Sequence, residues 1–213
     1  MSVSLHLISP LSKGLFHRAI MQSGASSSPI YSGKVANTKH LELFAKLVNC
    51  SMDSTLVECV RGKAVKDILR VQRTFTLDNH ETRSTQDFTA PIVDGELVPD
   101  LPENLFKTGK FHADVDVIAG LTSNEGALFA LIRPPVQLKD GLEPNDFETI
   151  VKSQMLYARE KREIIEDLIV FEYTNHADPG NKIALRQSMM EAFGDSVFDA
   201  PIMREAKALA KVK

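Results

Sequence analysis

Glu125 stands in the turn "TSNEG", one residue after the apolar run "VDVIAG" of residues 115–120. A single carboxylate just past a buried strand is the first candidate for chemistry in the chain. On the local sequence alone the plainer reading is a turn acid that hydrogen-bonds backbone. Other residues invite chemistry too. His176 and Asp178 in "NHADP" suggest a catalytic or metal pair. His6 and His17 read as packing or surface histidines, and Asp94 in "VDG" reads as a turn former. Asp195 in "FGD" suits helix-end capping as well as any functional role. Cys50 and Cys59, in "CSMDSTLVEC", are either two separate buried thiols or the ends of a short disulfide loop, which would imply an oxidising compartment. Without a further Cys or His pair nearby they make a poor zinc site. "NCS" at Asn49 fits a glycosylation sequon, a frequent chance match. No Gly-rich phosphate loop, paired metal-binding motif or basic–aromatic patch appears, so no cofactor and no metal is expected.

The elements that must hold these residues follow from pattern. The chain has 213 residues, 43% hydrophobic and 25% charged, with a formal net charge of −3. That composition suits a globular domain with a sizeable core. Its slight acidity gives no reason to expect nucleic acid or an anionic membrane as partner. No run approaches the roughly 18 to 20 apolar residues of a membrane span. The opening "MSVSLHLISPLSKG" lacks the basic and long apolar regions of a signal peptide.

Val3–Leu7 reads as a short helix ended at Ser9-Pro10. "FHRAIMQSG", residues 16–24, reads as a strand, and so does Val115–Ala119. Leu41, Phe44, Ala45 and Val48 share a helical face, and Ser54 can cap a short helix carrying Cys59. A further helix is expected near Ala64–Val71, with a polar loop over 74–90 and a turn at Asp94-Gly95. Pro102 and Gly109 bracket another helix. Beyond β-type residues 115–119 the chain reads as helical. Asp146 can cap a helix over about 147–157. Ile164, Ile165, Leu168 and Ile169 recur at helical spacing, as in part do Ile183, Arg186, Met190 and Phe193, and Pro201 opens a last helix. Two buried strands separated by helices suggest parallel neighbours in an α/β sheet. Two strands alone do not make a stable doubly wound sheet, so the chain reads as part of a larger domain.

Three blocks resemble one family. "SVSLHLISPLSKGLFHRAIMQSG" is similar to the segment that follows the nucleophile in type-B carboxylesterases and cholinesterases. "PIVDGELVPDLPENLFKTGKFHADVDVIAGLTSNEGALF" is similar to their catalytic-acid region, and "FEYTNHADPGNKIALRQSMMEAFGDSVFDAPI" to the helical stretch beyond it. The type is that of an animal, nematode-like carboxylesterase. The resemblance implies an α/β-hydrolase fold, here partial, with central parallel strands and many helices. Residues 1–213 then form part of one carboxylesterase domain. Family order is Ser, Glu, His, with the serine on a GxSxG elbow. The resemblance sets that elbow a few residues before Met1 and the histidine beyond Lys213. It makes Glu125 the triad acid and Ser23 a supporting hydrogen-bond donor to it. His176 follows Glu125 too closely to be the family histidine, which leaves it a loop residue. Cys50 and Cys59 match the position of a family disulfide.

The resemblance also implies a carboxylic-ester hydrolase acting on a small-molecule ester, secreted or in the endoplasmic-reticulum lumen. The oligomeric state is open. Cholinesterases carry aromatic residues flanking both segments. Here only Phe88 lies near the first, offset by about one position, and the sequence contains no tryptophan. A quaternary ammonium needs an aromatic cage, so generic ester hydrolysis is expected rather than acetylcholine hydrolysis, with Leu128 and Phe129 as pocket walls. The competing expectation is a non-catalytic adhesion protein of the neuroligin type. The 213 residues alone are expected to be inactive and poorly stable, with sheet strands left without neighbours.

Overall fold

The short apolar runs in "RAIMQ" and "DVIAG" form two strands, β1 (Arg18–Gln22) and β2 (Asp116–Gly120). They pair in parallel, with Ala19 opposite Val117 and Met21 opposite Ala119. The computed structural model that contains them describes residues 1–29, 38–77, 91–128, 138–154 and 162–212. The chain divides into two units, one of Met1–Ser32 with Asp94–Lys213 and one of Gly33–Val93.

In the first unit the period-2 pattern of the strands separates two faces. Ala19 and Met21 are buried with Leu7 and Val115, against Phe16, Val117 and Leu209. Ile20 and its register partner Ile118 point the other way and stay 58% and 68% exposed. The second strand begins one residue later than the sequence pattern predicts. Val115 is buried just before it, and the ladder opens where the Asp116 N–H donates to the His17 carbonyl at 3.1 Å.

Helix α1 (Ser2–Ile8) stops where Ser9 turns extended before Pro10. A helix end leaves carbonyls without intrahelical partners. His112 covers two neighbouring ones: its backbone N–H donates to the Leu7 carbonyl at 2.9 Å, and Nε2 donates to that of Ser9 at 2.9 Å. Because a carbonyl only accepts, Nε2 carries the proton. Helix α5 spans Pro102–Lys107. Gly109, at φ +72°, follows it, and the Lys110 N–H returns to the Leu105 carbonyl at 2.8 Å. This left-handed stop is one glycine makes without strain.

The larger core of this unit joins α6 (Pro144–Gln154), α7 (Arg162–Glu172) and α8 (Lys182–Gly194). Phe147 and Val151 pack with Leu185, Met189, Ala192 and Phe193. The chain reaches α6 through Pro144, so Asp146 lies within its first turn rather than at its cap, where a carboxylate still suits the helix dipole. Asn181 caps α8, its side-chain oxygen accepting from the Ala184 N–H at 3.0 Å. Helical spacing in α7 is right, and within it Ile169 and Val170 face the core while Ile164 and Leu168 are exposed. After α8 a single π-turn, Asp195–Asp199, leads into α9 (Ala200–Ala210), with Pro201 in its first turn.

The second unit holds α2 (Thr38–Leu47), α3 (Leu56–Arg61) and α4 (Val65–Leu77). Phe44, Val48 and Val71 form its core with Leu41, Val60 and Ile68. Asn49, at φ +53°, ends α2, and the Cys50 N–H returns to the Ala45 carbonyl at 2.8 Å. A disulfide joins Cys50 to Cys59, with Cα atoms 5.9 Å apart. Two local expectations shift. Thr55, not Ser54, precedes α3, and Asp53 Oδ1 accepts the Thr55 N–H at 2.8 Å. Helix α4 also runs on through Leu77 into the segment read as loop.

Candidate functional site

Both strands end at the same edge of the sheet. Ser23 extends β1 by one bond, its N–H donating to the Gly120 carbonyl at 3.0 Å. It then turns left-handed, φ +50°, which throws its side chain toward the turn that follows β2. Glu125 sits in that turn, half-buried. The Ser23 hydroxyl donates to Glu125 Oε1 at 2.5 Å. The Thr122 N–H donates to the same oxygen at 2.7 Å. Among the described residues Oε2 has no donor, and no histidine is bonded to Glu125. The carboxylate is therefore fixed through one oxygen and presents the other at the carboxyl ends of the strands, where open parallel sheets place their chemistry.

Close backbone packing holds the turn from behind. A Cβ on Gly126 would lie 1.7 Å from the Met190 carbonyl oxygen and 2.8 Å from the Gly194 nitrogen. A Cβ on Gly194 would lie 3.3 Å from the Gly126 nitrogen. The missing side chain of Gly126 lets the acid turn rest directly on the end of α8.

That end carries further acids. The Tyr173 hydroxyl donates to Asp195 Oδ2 at 2.6 Å, and burial, reinforced by this bond, raises the Tyr173 phenol well above its usual range. Burial also raises the Asp199 carboxyl, with the Asp195 carboxyl and then Glu125 adding to the shift. Asp195 is the C-cap residue of α8, its backbone N–H returning to the Glu191 and Ala192 carbonyls while its side chain takes the Tyr173 hydroxyl, and a third carboxyl, Asp199, shares the neighbourhood of Glu125. The sequence signal for Asp199 was its spacing of four from Asp195.

Deeper in the same unit Glu205 is fully buried. Ser4 Oγ donates to its Oε2 at 2.6 Å, Ser26 Oγ to its Oε1 at 3.0 Å and the Ser27 N–H to Oε1 at 2.8 Å. Its signal lay in α9: Ile202, Glu205 and Leu209 follow helical spacing, and a charge stands where an apolar residue is expected.

The remaining candidates are not brought to Glu125. His176 is exposed, its Nε2 donating to the Phe171 carbonyl at 2.9 Å and its ring 4.3 Å from that of Phe171. His6 bonds Ser12 at 2.8 Å. Asp94 accepts from the Glu96 and Val98 N–H groups, at 3.0 and 2.8 Å, as a turn former does. Leu128, read as a pocket wall, is 49% exposed; Phe129 and Phe88 lie outside the described residues. Among the described residues no cluster of three or more His, Cys, Asp or Glu could hold a metal ion, and no helix is long and apolar enough to cross a membrane.

The carboxylesterase family matches residues 1–213. The chain is 30% identical to an acetylcholinesterase of Electrophorus electricus over 217 residues, 99% of this chain and 33% of that protein. It is 29% identical to an acetylcholinesterase of Bungarus fasciatus over 216 residues, 99% of this chain and 34% of that protein. The chain spans about a third of the length of these relatives.

Proposed function

The chain belongs to the carboxylesterase family, and from that premise we propose that it is a portion of a serine carboxylic-ester hydrolase, with Glu125 the acid of a Ser–Glu–His triad. The observation that carries this reading is the attachment of Glu125 through Oε1 to Ser23 and Thr122, at the carboxyl end of β2. In such a triad a serine hydroxyl is a weak nucleophile and needs a neighbouring imidazole to take its proton. Glu125 Oε2 would accept the N–H of that imidazole, select its tautomer and stabilise the imidazolium that forms during attack. Ser23 would hold the carboxylate still while this happens. No GxSxG stands in residues 1–213, so nucleophile and base are assigned to polypeptide outside them, in one shared domain.

The substrate class is a small carboxylic ester, generic rather than choline. The intact protein is assigned to the secretory route, outside the cell or in the endoplasmic-reticulum lumen, which suits the Cys50–Cys59 bond. The test is labelling with a fluorophosphonate and turnover of a simple aryl ester. The intact protein is expected to do both, and the 213-residue chain neither. A folded intact protein that is neither labelled nor active would overturn the esterase reading in favour of a non-catalytic adhesion protein of the same fold. Turnover by the 213 residues alone would contradict the assignment of nucleophile and base elsewhere.

A further inference from the structure

Glu205 is a carboxylate with 0% exposure, and burying a charge is costly unless it is well hydrogen-bonded. Its three donors are neutral and come from two segments far from it in sequence. Ser4 belongs to α1, 201 positions away. Ser26 and Ser27 belong to the loop after β1, 179 and 178 positions away. The two segments also meet each other, since Ser4 Oγ lies 2.7 Å from Ser26 Oγ and accepts the Ser26 N–H at 3.0 Å. An apolar residue would fill this space more cheaply than a desolvated charge. A carboxylate offers what an apolar side chain does not, which is directional bonds to both segments at once.

The placement of those segments gives the bonds a consequence. Ser23, which donates to Glu125 at 2.5 Å, lies three residues before Ser26 on the same short loop. On the esterase reading, on which this step rests, α1 is the helix that follows the nucleophile. One carboxylate thereby ties the loop that steadies the acid to the helix that continues from the nucleophile. We propose that Glu205 is a positioning residue for the ester-hydrolysing site: it sets the register between the Ser23–Glu125 pair and α1 without touching substrate. Because reacting groups misplaced by about 1 Å can lose about 100-fold in rate, its loss acts on turnover more than on binding.

The test uses the intact protein with Glu205→Leu, Glu205→Gln and Ser4→Ala. Active sites are counted by stoichiometric fluorophosphonate titration, and kcat per titrated site and KM are measured on one aryl ester. Glu205→Leu is expected to lower kcat per titrated site by about 10- to 100-fold, with KM little changed. Glu205→Gln keeps the shape and two acceptor lone pairs, and hydroxyl donors can rotate to suit it, so it recovers most of the loss. Ser4→Ala gives a smaller fall in the same direction, and serves if the leucine variant does not fold. If the variants reduce only the number of titratable sites and leave kcat per site at the wild-type value, Glu205 merely supports folding and the proposal is overturned. A wild type with no titratable site removes the esterase reading, and this proposal with it. A wild type that turns over beside variants of equal kcat per site removes this proposal alone.

Discussion

The Glu125 turn and the Cys50–Cys59 loop are both short connections with modest apolar cover, held in place by different means. The loop is closed covalently, over a small core of Phe44, Val48 and Val71. The turn has no covalent tie. It is held by one side-chain bond, one backbone bond and a glycine-to-backbone contact with the end of α8. The difference follows from what each must keep available. A loop with no reacting group needs only to be closed. On the proposed function, a carboxylate that receives an imidazole has one oxygen fixed and the other open, and directional hydrogen bonds achieve that.

Three substitutions sharpen the contrast. The largest effect is expected for Gly126→Ala in the intact protein. The added methyl meets the Met190 carbonyl oxygen at 1.7 Å. A backbone atom cannot rotate aside, so the turn or the end of α8 must move. A loss of about 3 kcal/mol is expected, the upper end for overpacking, with activity falling alongside. Denaturant melts and kcat/KM measure both, and a variant with wild-type stability would show that the turn is not seated as described. Next comes the double change Cys50→Ala/Cys59→Ala. Loop-closure entropy for a separation of 9 residues predicts a loss of about 2 to 3 kcal/mol, with kcat unchanged. A fall in kcat per active site would break the contrast, because it would give the loop a share in the chemistry. The smallest is Ser23→Ala, which keeps a Cβ at φ +50° and removes only the hydroxyl. It should cost about 1.5 to 2 kcal/mol, the lower end for a hydrogen bond to a charged group, and lower kcat about tenfold, with KM little changed. Equal kcat would leave Thr122 as the sole anchor that matters.

Much of the frame was legible beforehand because it rests on short-range rules. Short apolar runs bounded by turn residues marked both strands, and Pro102 with Gly109 bracketed a helix. Glu125, Ser23 and the cysteine pair came from resemblance, since local pattern alone read Glu125 as a turn acid and left Ser23 as readily a turn serine and the cysteines as readily two thiols. What escaped notice depends on tertiary context. Which stripe of α7 is buried is decided by its neighbours, and Ile164 and Leu168 look no less apolar than Ile169. The Gly126–Gly194 contact joins two residues that each look like ordinary loop or helix-end glycines. Glu205 is the most instructive case. Its place on the apolar side of α9 marks it as anomalous, but nothing in sequence names Ser4, Ser26 and Ser27 as its donors, because those bonds span about two hundred positions.

The central claim is that Glu125 orients a catalytic imidazole. The most direct measurement is kcat/KM for a simple aryl ester with Glu125→Gln in the intact protein, beside a melting curve. An amide can still accept from Ser23 and Thr122, yet it can present a donor to the imidazole and favour the wrong tautomer. The account predicts a folded protein whose kcat/KM is lower by about 10⁴-fold, as for an analogous acid-to-amide change in a serine triad. Turnover within a fewfold of wild type in a folded variant would contradict it.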